Sequence, residues 1–395
     1  MNVCNFYILL WCIFNATFPL GNMISRPVFV IIFAITVYYV IYAYMHCKLP
    51  KYFHGLTLLL LMFTIYGVVA IANNDIHYIR ANGKYVPNEI YIITAYKSLL
   101  PIFPFYVMTL KKQLTVRLIN RWILIFLAVT VLTFYLNYDL MLHASSTGRT
   151  EFTNNQGNVF LSLLPLIPFI DGNKKKYMLI LIIVFFILFS MKRGAIITAM
   201  VVVFWYLLNM VKTENKGRKY IVITGAAFVI SIGLFFADYL YGHSEYFQTR
   251  FESTLEGNSS GRDIIFAEMI DYYLYDASQT QQVIGSGANA TLDIAINYAH
   301  NDWLEILINN GILGIILFVF YWVRFYIQWK GLNHHSILYS AFGMLFLAYF
   351  FRTFYSMSYG DMTSYATMCL GYCLAKCTEQ KALNNNKTKN NYAIK

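Results

Sequence analysis

The chain has 395 residues, 58% of them hydrophobic, 18% aromatic and only 12% charged, with a mean hydropathy of +0.51. Soluble domains carry about 25% charged residues, and here apolar runs recur along the whole length, which excludes a soluble domain held by a single anchor. The net charge of +11 would suit a nucleic-acid binder in size, but its placement points to a lipid surface instead.

Twelve apolar segments are read as membrane-spanning helices: Phe6–Leu20, Pro27–Met45, Leu56–Ala72, Ile90–Leu110, Leu118–Leu136, Val159–Ile170, Tyr177–Ser190, Ala195–Val211, Tyr220–Ala237, Trp303–Tyr326, Ile337–Phe351 and Thr363–Ala375. The start, Met-Asn-Val-Cys, lacks the basic residues of a signal peptide, so the first segment is kept as a span. Lys97 lies inside the fourth span and needs a wet cavity or a partner. Pro101 and Pro104 kink that span. The expected fold is an all-α polytopic membrane protein of about twelve transmembrane helices, with one large loop between spans nine and ten. The division that follows is 1–237 for the first nine spans, 238–302 for the loop with short helices, 303–376 for the last three spans, and 377–395 for a tail read as disordered from its Asn/Lys-rich composition. Cys369, Cys373 and Cys377 recur every four residues, on one helix face without histidine or acid, and are read as packing residues.

The basic residues set the orientation. With the N-terminus in the cytoplasm, twenty lysines and arginines fall on inside connections and nine outside, with Lys97 in a span, which accounts for all 30. The positive excess then faces anionic lipid, so no nucleic-acid partner is needed. Both termini are cytoplasmic and the 238–302 loop faces outward. An outer arginine is the exception.

Several exceptions carry chemistry. Arg193 sits in the four-residue turn 191–194, either as a snorkelling anchor or as a fixed guanidinium gripping phosphate at headgroup depth. Arg262 follows a flexible Gly-Asn-Ser-Ser-Gly lead and opens a helical stretch, where an anion is favoured. Its alternative is an ion pair with Asp263 or Glu268. Arg149 with Asn155 and neighbouring amides suits sugar hydroxyls or phosphate, or forms a plain solvated loop. Gly285-Ser286-Gly287 makes a turn whose backbone can approach a ligand closely. His300, Asn301 and Asp302 stand at the mouth of the tenth span. His300 either anchors the helix at the headgroups with Trp303 or exchanges protons near neutral pH. Asp-x-Asp is absent from the outer loops, so no metal site is read there.

In order, Ser190-Met-Lys-Arg193-Gly194, Ser260-Gly261-Arg262, Ile284-Gly285-Ser286-Gly287 and His300-Asn301-Asp302-Trp303-Leu304-Glu305 with Asn310-Gly311-Ile312-Leu313-Gly314 resemble the O-antigen ligase/polymerase superfamily across roughly residues 149–320. The family usually has serine directly before the first arginine; here Lys192 holds that place. The resemblance implies a glycosyltransferase of the GT-C type in the bacterial inner membrane. Its donor and acceptor are glycans linked to undecaprenyl pyrophosphate, and it uses neither metal nor other cofactor. A chain-length regulator protein is an implied partner. His300 is then the candidate catalytic residue, and Arg193, Arg262, Arg149, Asn301 and Asn155 are candidate substrate-binding residues. Polymerase is the expected activity. Ligation to lipid A–core is the alternative within the class, and a lipid-linked oligosaccharide flippase the alternative outside it.

Overall fold

A computed structural model describes residues 2–18, 22–80, 83–137, 156–190, 192–214, 216–243, 248, 252 and 261–393. It is mostly helical (80%). Among the described residues, seven helices are long and apolar enough to cross a membrane: Met23–His46, Lys51–Asn73, Glu89–Leu110, Val116–Leu136, Arg193–Thr213, Val222–His243 and Asp302–Lys330. Large apolar side chains such as Val30, Ile65, Leu124, Met200, Leu234 and Ile316 stand exposed on six of them. Each would cost about 1.5–3 kcal/mol in water, and hydrocarbon removes that cost. The protein is a multi-pass membrane protein.

In chain order, α1 (Val3–Thr17), α2 (Asn22–His46) and α3 (Lys51–Asn73) lead to a small antiparallel hairpin, β1 (His77–Ile79) and β2 (Lys84–Val86), with His77 opposite Val86. The predicted fourth span is two helices, α4 (Glu89–Leu99) and α5 (Ile102–Leu110), broken at Pro101, whose missing N–H cannot continue the ladder. Lys97 is turned inward, its ammonium 5.0 Å from the Phe14 ring centre and 5.1 Å from that of Phe18. The aromatic faces are the partner that the sequence demanded.

After α6 (Val116–Leu136) come α7 (Gln156–Leu161) with a short 3-10 helix (Leu164–Phe169), then α8 (Asn173–Phe189), α9 (Arg193–Thr213) and α10 (Lys216–His243). Helix α10 runs six residues past the Ala237 boundary read from the sequence. The change to polar residues marks the edge of the hydrocarbon, not the end of the helix. An outer cap follows: α11 (Arg262–Asp271) with a π-turn, α12 (Gln279–Ile284), and α13 (Thr291–Ile294). Three helices complete the bundle: α14 (Asp302–Lys330), α15 (Ile337–Arg352) and α16 (Ser364–Ala393).

Helix α16 runs from Ser364 to Ala393, across the stretch read as a tail from its composition. Its first half is deeply buried, Cys369, Cys373 and Cys377 included, each at most 1% exposed. Elongation of a helix already nucleated by packing costs little, and the Lys376–Glu379 pair (2.7 Å) extends it.

Helix α14 is interrupted at Gly311 (φ 65°, ψ −165°). The carbonyls of Ile308 and Asn309 accept instead from the Ser286 (2.9 Å) and Gly287 (3.1 Å) amides. A side chain on Gly285 would collide with the Asn309–Asn310 main chain. The glycine turn therefore approaches a broken helix, not a ligand. It satisfies carbonyls that hydrocarbon would leave stranded.

Candidate active site

Arg193 is the first residue of α9, and Lys192 caps that helix with extended backbone. Arg262 is the first residue of α11, reached through Gly261 in the left-handed region (φ 77°). The two helix starts meet. Burial and then the nearby Arg193 charge lower the pKa of Arg262, and Arg262 Nη1 donates to the Tyr355 carbonyl at 3.1 Å. His300 joins them from the turn before α14, in a left-handed conformation (φ 50°). Burial, then Arg262, then Lys192 push its imidazole down to about 4. The structure thus brings Arg193, Lys192, Arg262 and His300 into one half-buried cationic cluster at a single end of the bundle. Two positive helix N-termini reinforce it. Such a cluster favours an anion with several oxygens.

The adjoining carboxylates and amides build the frame. Asn301 caps α14: its Oδ1 accepts from the Trp303 (2.9 Å) and Leu304 (3.1 Å) amides, while its Nδ2 donates to the Phe354 carbonyl at 3.2 Å. The sequence assigns Asn301 to substrate; the structure commits its carboxamide to main chain. Asp302 is fully buried. Both its oxygens accept from the Ser358 amide at 3.0 Å, and the Ser358 hydroxyl donates to it as well. Trp303 Nε1 donates to Thr353 Oγ1 at 2.8 Å. Glu305 is equally enclosed, accepting from Thr291 Oγ1 (2.6 Å), the Ala299 amide (2.9 Å) and Asn309 Nδ2 (3.2 Å). Asp302 and Glu305 therefore fix two loops around His300.

Arg149 and Asn155 lie outside the described residues. The segment between α15 and α16, by contrast, was not singled out from the sequence. It binds the start of α14 through Thr353, Phe354 and Ser358, takes the Arg262 hydrogen bond on Tyr355, and lays the Tyr355 ring against Gly194. The available signal was Arg352, an outer-face arginine ending an apolar helix. Most of the new partners are backbone atoms, which leave no residue-type signature.

Residues 178–319 match a protein-family model described as O-Antigen ligase. The match supports the O-antigen ligase/polymerase superfamily for this part of the chain. The match encloses Arg193, Arg262, His300 and Asn301 and stops short of the α15–α16 segment. The comparison with curated proteins gives no match. The family match supports an O-antigen ligase/polymerase-type function, implies a glycosyltransferase-like enzyme, and lends the flippase alternative no support.

Proposed function

We propose that the protein is an O-antigen polymerase of the GT-C type, joining undecaprenyl-pyrophosphate-linked repeat units at the periplasmic face of the bacterial inner membrane without a metal. The observation that carries this reading is the convergence of Arg193 and Arg262 beside an uncharged His300. In the reaction, the acceptor hydroxyl oxygen bonds to the donor's anomeric carbon. The carbon–oxygen bond to pyrophosphate breaks, and undecaprenyl pyrophosphate departs with the electron pair. The guanidinium groups stabilise the charge that grows on that leaving group. The hydroxyl proton passes to His300, whose neutral form has room for it. Asn301 and Asp302 position His300; Arg149 and Asn155 are assigned to the glycan.

A cavity of about 640 Å³ opens around Asp271, Tyr272, Asp276, Gln281 and Asp293. Asp271 is nine residues along α11 from Arg262, or roughly 13 Å. A glycan whose phosphate rests on the arginines reaches that distance within a few sugar units. The second reading is ligation of the finished glycan to lipid A–core, and the description O-Antigen ligase is compatible with it.

Lipopolysaccharide from a deletion strain separates the two. Chains limited to one repeat indicate the polymerase; bare core indicates the ligase. Complementation with His300→Ala is expected to leave membrane abundance unchanged and to restore almost no extension. Arg193→Lys and Arg262→Lys are each expected to lose about a hundredfold in rate on purified lipid-linked repeats, corresponding to a lost transition-state contact of ~2–4 kcal/mol. Lysine keeps the charge and loses the paired donors. Near-wild-type rates in both lysine variants would overturn the clamp.

A further inference from the structure

Beneath the arginine pair lies a second group of polar side chains that the reaction above does not use. Asn158, in α7, is 1% exposed, and among the described residues neither Nδ2 nor Oδ1 has a partner. Arg352, at the end of α15, is 0% exposed. Its Nη2 pairs with Asp361 at 2.6 Å, while its Nε has no partner among the described residues. Tyr355, three residues on, has a buried hydroxyl with no partner among the described residues.

Their neighbours place the three together. Ser162 Oγ donates to the Asn158 carbonyl at 2.8 Å and lies 3.0 Å from the Tyr349 hydroxyl. The Arg352 guanidinium stands 5.1 Å from the Tyr349 ring. Asn158 and Arg352 are therefore each about one helical turn outward from the same Ser162–Tyr349 contact, at matching depth. Above them lies the first turn of α9. Gly157 packs on Ser190, Lys192 and Ala195, and Gly194 packs on the Tyr355 ring. The three orphaned groups flank the turn that carries Arg193. Buried polar atoms without partners are rare and cost stability. Here three helices and a loop converge to hold four of them beside an anion site.

We propose that Asn158, Arg352 and Tyr355 form an inner tier of this site, which takes the glycosyl-phosphate end of the donor. A sugar phosphate matches the set. Phosphoryl oxygens accept from Arg352 Nε, Tyr355 Oη and Asn158 Nδ2, and a hydroxyl of the adjoining sugar donates to Asn158 Oδ1. A phosphate alone leaves Oδ1 unmatched, so the tier distinguishes a loaded donor from spent lipid pyrophosphate. This inference rests on the glycosyl-transfer reading and extends it to substrate recognition.

The test is binding to the full-length chain in detergent, by melting-temperature shift and titration. The probes are undecaprenyl-pyrophosphoryl-N-acetylglucosamine and, for comparison, undecaprenyl pyrophosphate. Tyr355→Phe and Asn158→Ala are expected to melt no lower than wild type without lipid, since each removes an unsatisfied polar group. Each is expected to bind the sugar-bearing lipid about tenfold or more weakly, the effect of one charge-assisted hydrogen bond. Asn158→Ala should also lose the preference for the sugar-bearing lipid over the sugar-free one. Wild-type affinity in both variants, or a large fall in the lipid-free melting temperature of the isosteric Tyr355→Phe, overturns the inner tier. Arg262→Ala separates the two failures. If it loses binding while both inner-tier variants keep it, only this inference fails. If it too binds as wild type, the glycosyl-transfer site itself is misplaced.

Discussion

His300 is held uncharged by its surroundings, not by its own chemistry. Burial and two neighbouring cations keep its imidazole near 4, against an ordinary value of 6.5. On the proposed reading, such a base would accept protons poorly in the resting site, and an incoming diphosphate would change that by neutralising Arg262 and Lys192. Because kcat/KM reports groups of the free enzyme, its acid limb is expected near pH 4. Lys192→Ala, which removes one repelling charge, should move that limb upward; a limb that stays in place would remove Lys192 from the electrostatics of the site. The folded pKa lies below the unfolded one, so the unfolded chain takes up the proton first, and this group's contribution to stability is lost as pH falls from about 6.5 towards about 4. His300, Arg193 and Arg262 were legible as residue types in an ordered motif. Their convergence was not, because it depends on where α11 sits. Lys192 was noted only as a departure from the family pattern, and its field acts through space.

Among the elements, the break in α14 does the most to shape the outer face. Gly311 holds a backbone conformation that is essentially restricted to glycine, and a Cβ there would strike the Val283 carbonyl and the Gly285 amide. Gly311→Ala is expected to cost ~1–3 kcal/mol in backbone strain, with a further penalty from that collision. Fluorescence-detected gel filtration should show less folded protein than for Gly233→Ala, a control where a Cβ meets nothing within 4 Å. Equal yields would mean that the break is incidental. The sequence displayed both glycine motifs and the apolar run. It could not show that one motif fills the hydrogen bonds released by the other, since backbone pairing across roughly 25 residues leaves no periodicity. The Pro101 break was legible because proline acts on its own helix.

For the whole molecule, the apolar segments were the strongest signal, because burying a charge in hydrocarbon costs more than any local preference. Lys48 and Thr378 meet at one end, where the Tyr106 hydroxyl bonds both, while Arg262 and His300 gather at the site end. Single cysteines placed at Ser259 and Lys387 are expected to react with an impermeant thiol reagent from opposite sides of the membrane, after Cys47, the one partly exposed native cysteine, is replaced. Labelling from one side would overturn the orientation. What escaped the sequence was the segment from Thr353 to Asp361, whose importance lies in main-chain hydrogen bonds.

That segment has a consequence for swapping parts between relatives. The matched stretch ends at 319, yet the α15–α16 connection supplies the carbonyl that orients Arg262 and the serine that grips Asp302. A graft of residues 178–319 from a relative would arrive with both arginines and the histidine but without the loop that registers them. Such a chimera is expected to insert in the membrane and make little polymer, whereas a graft extended through residue 363 should work; equal activity of the two would show that the site is portable without its clasp.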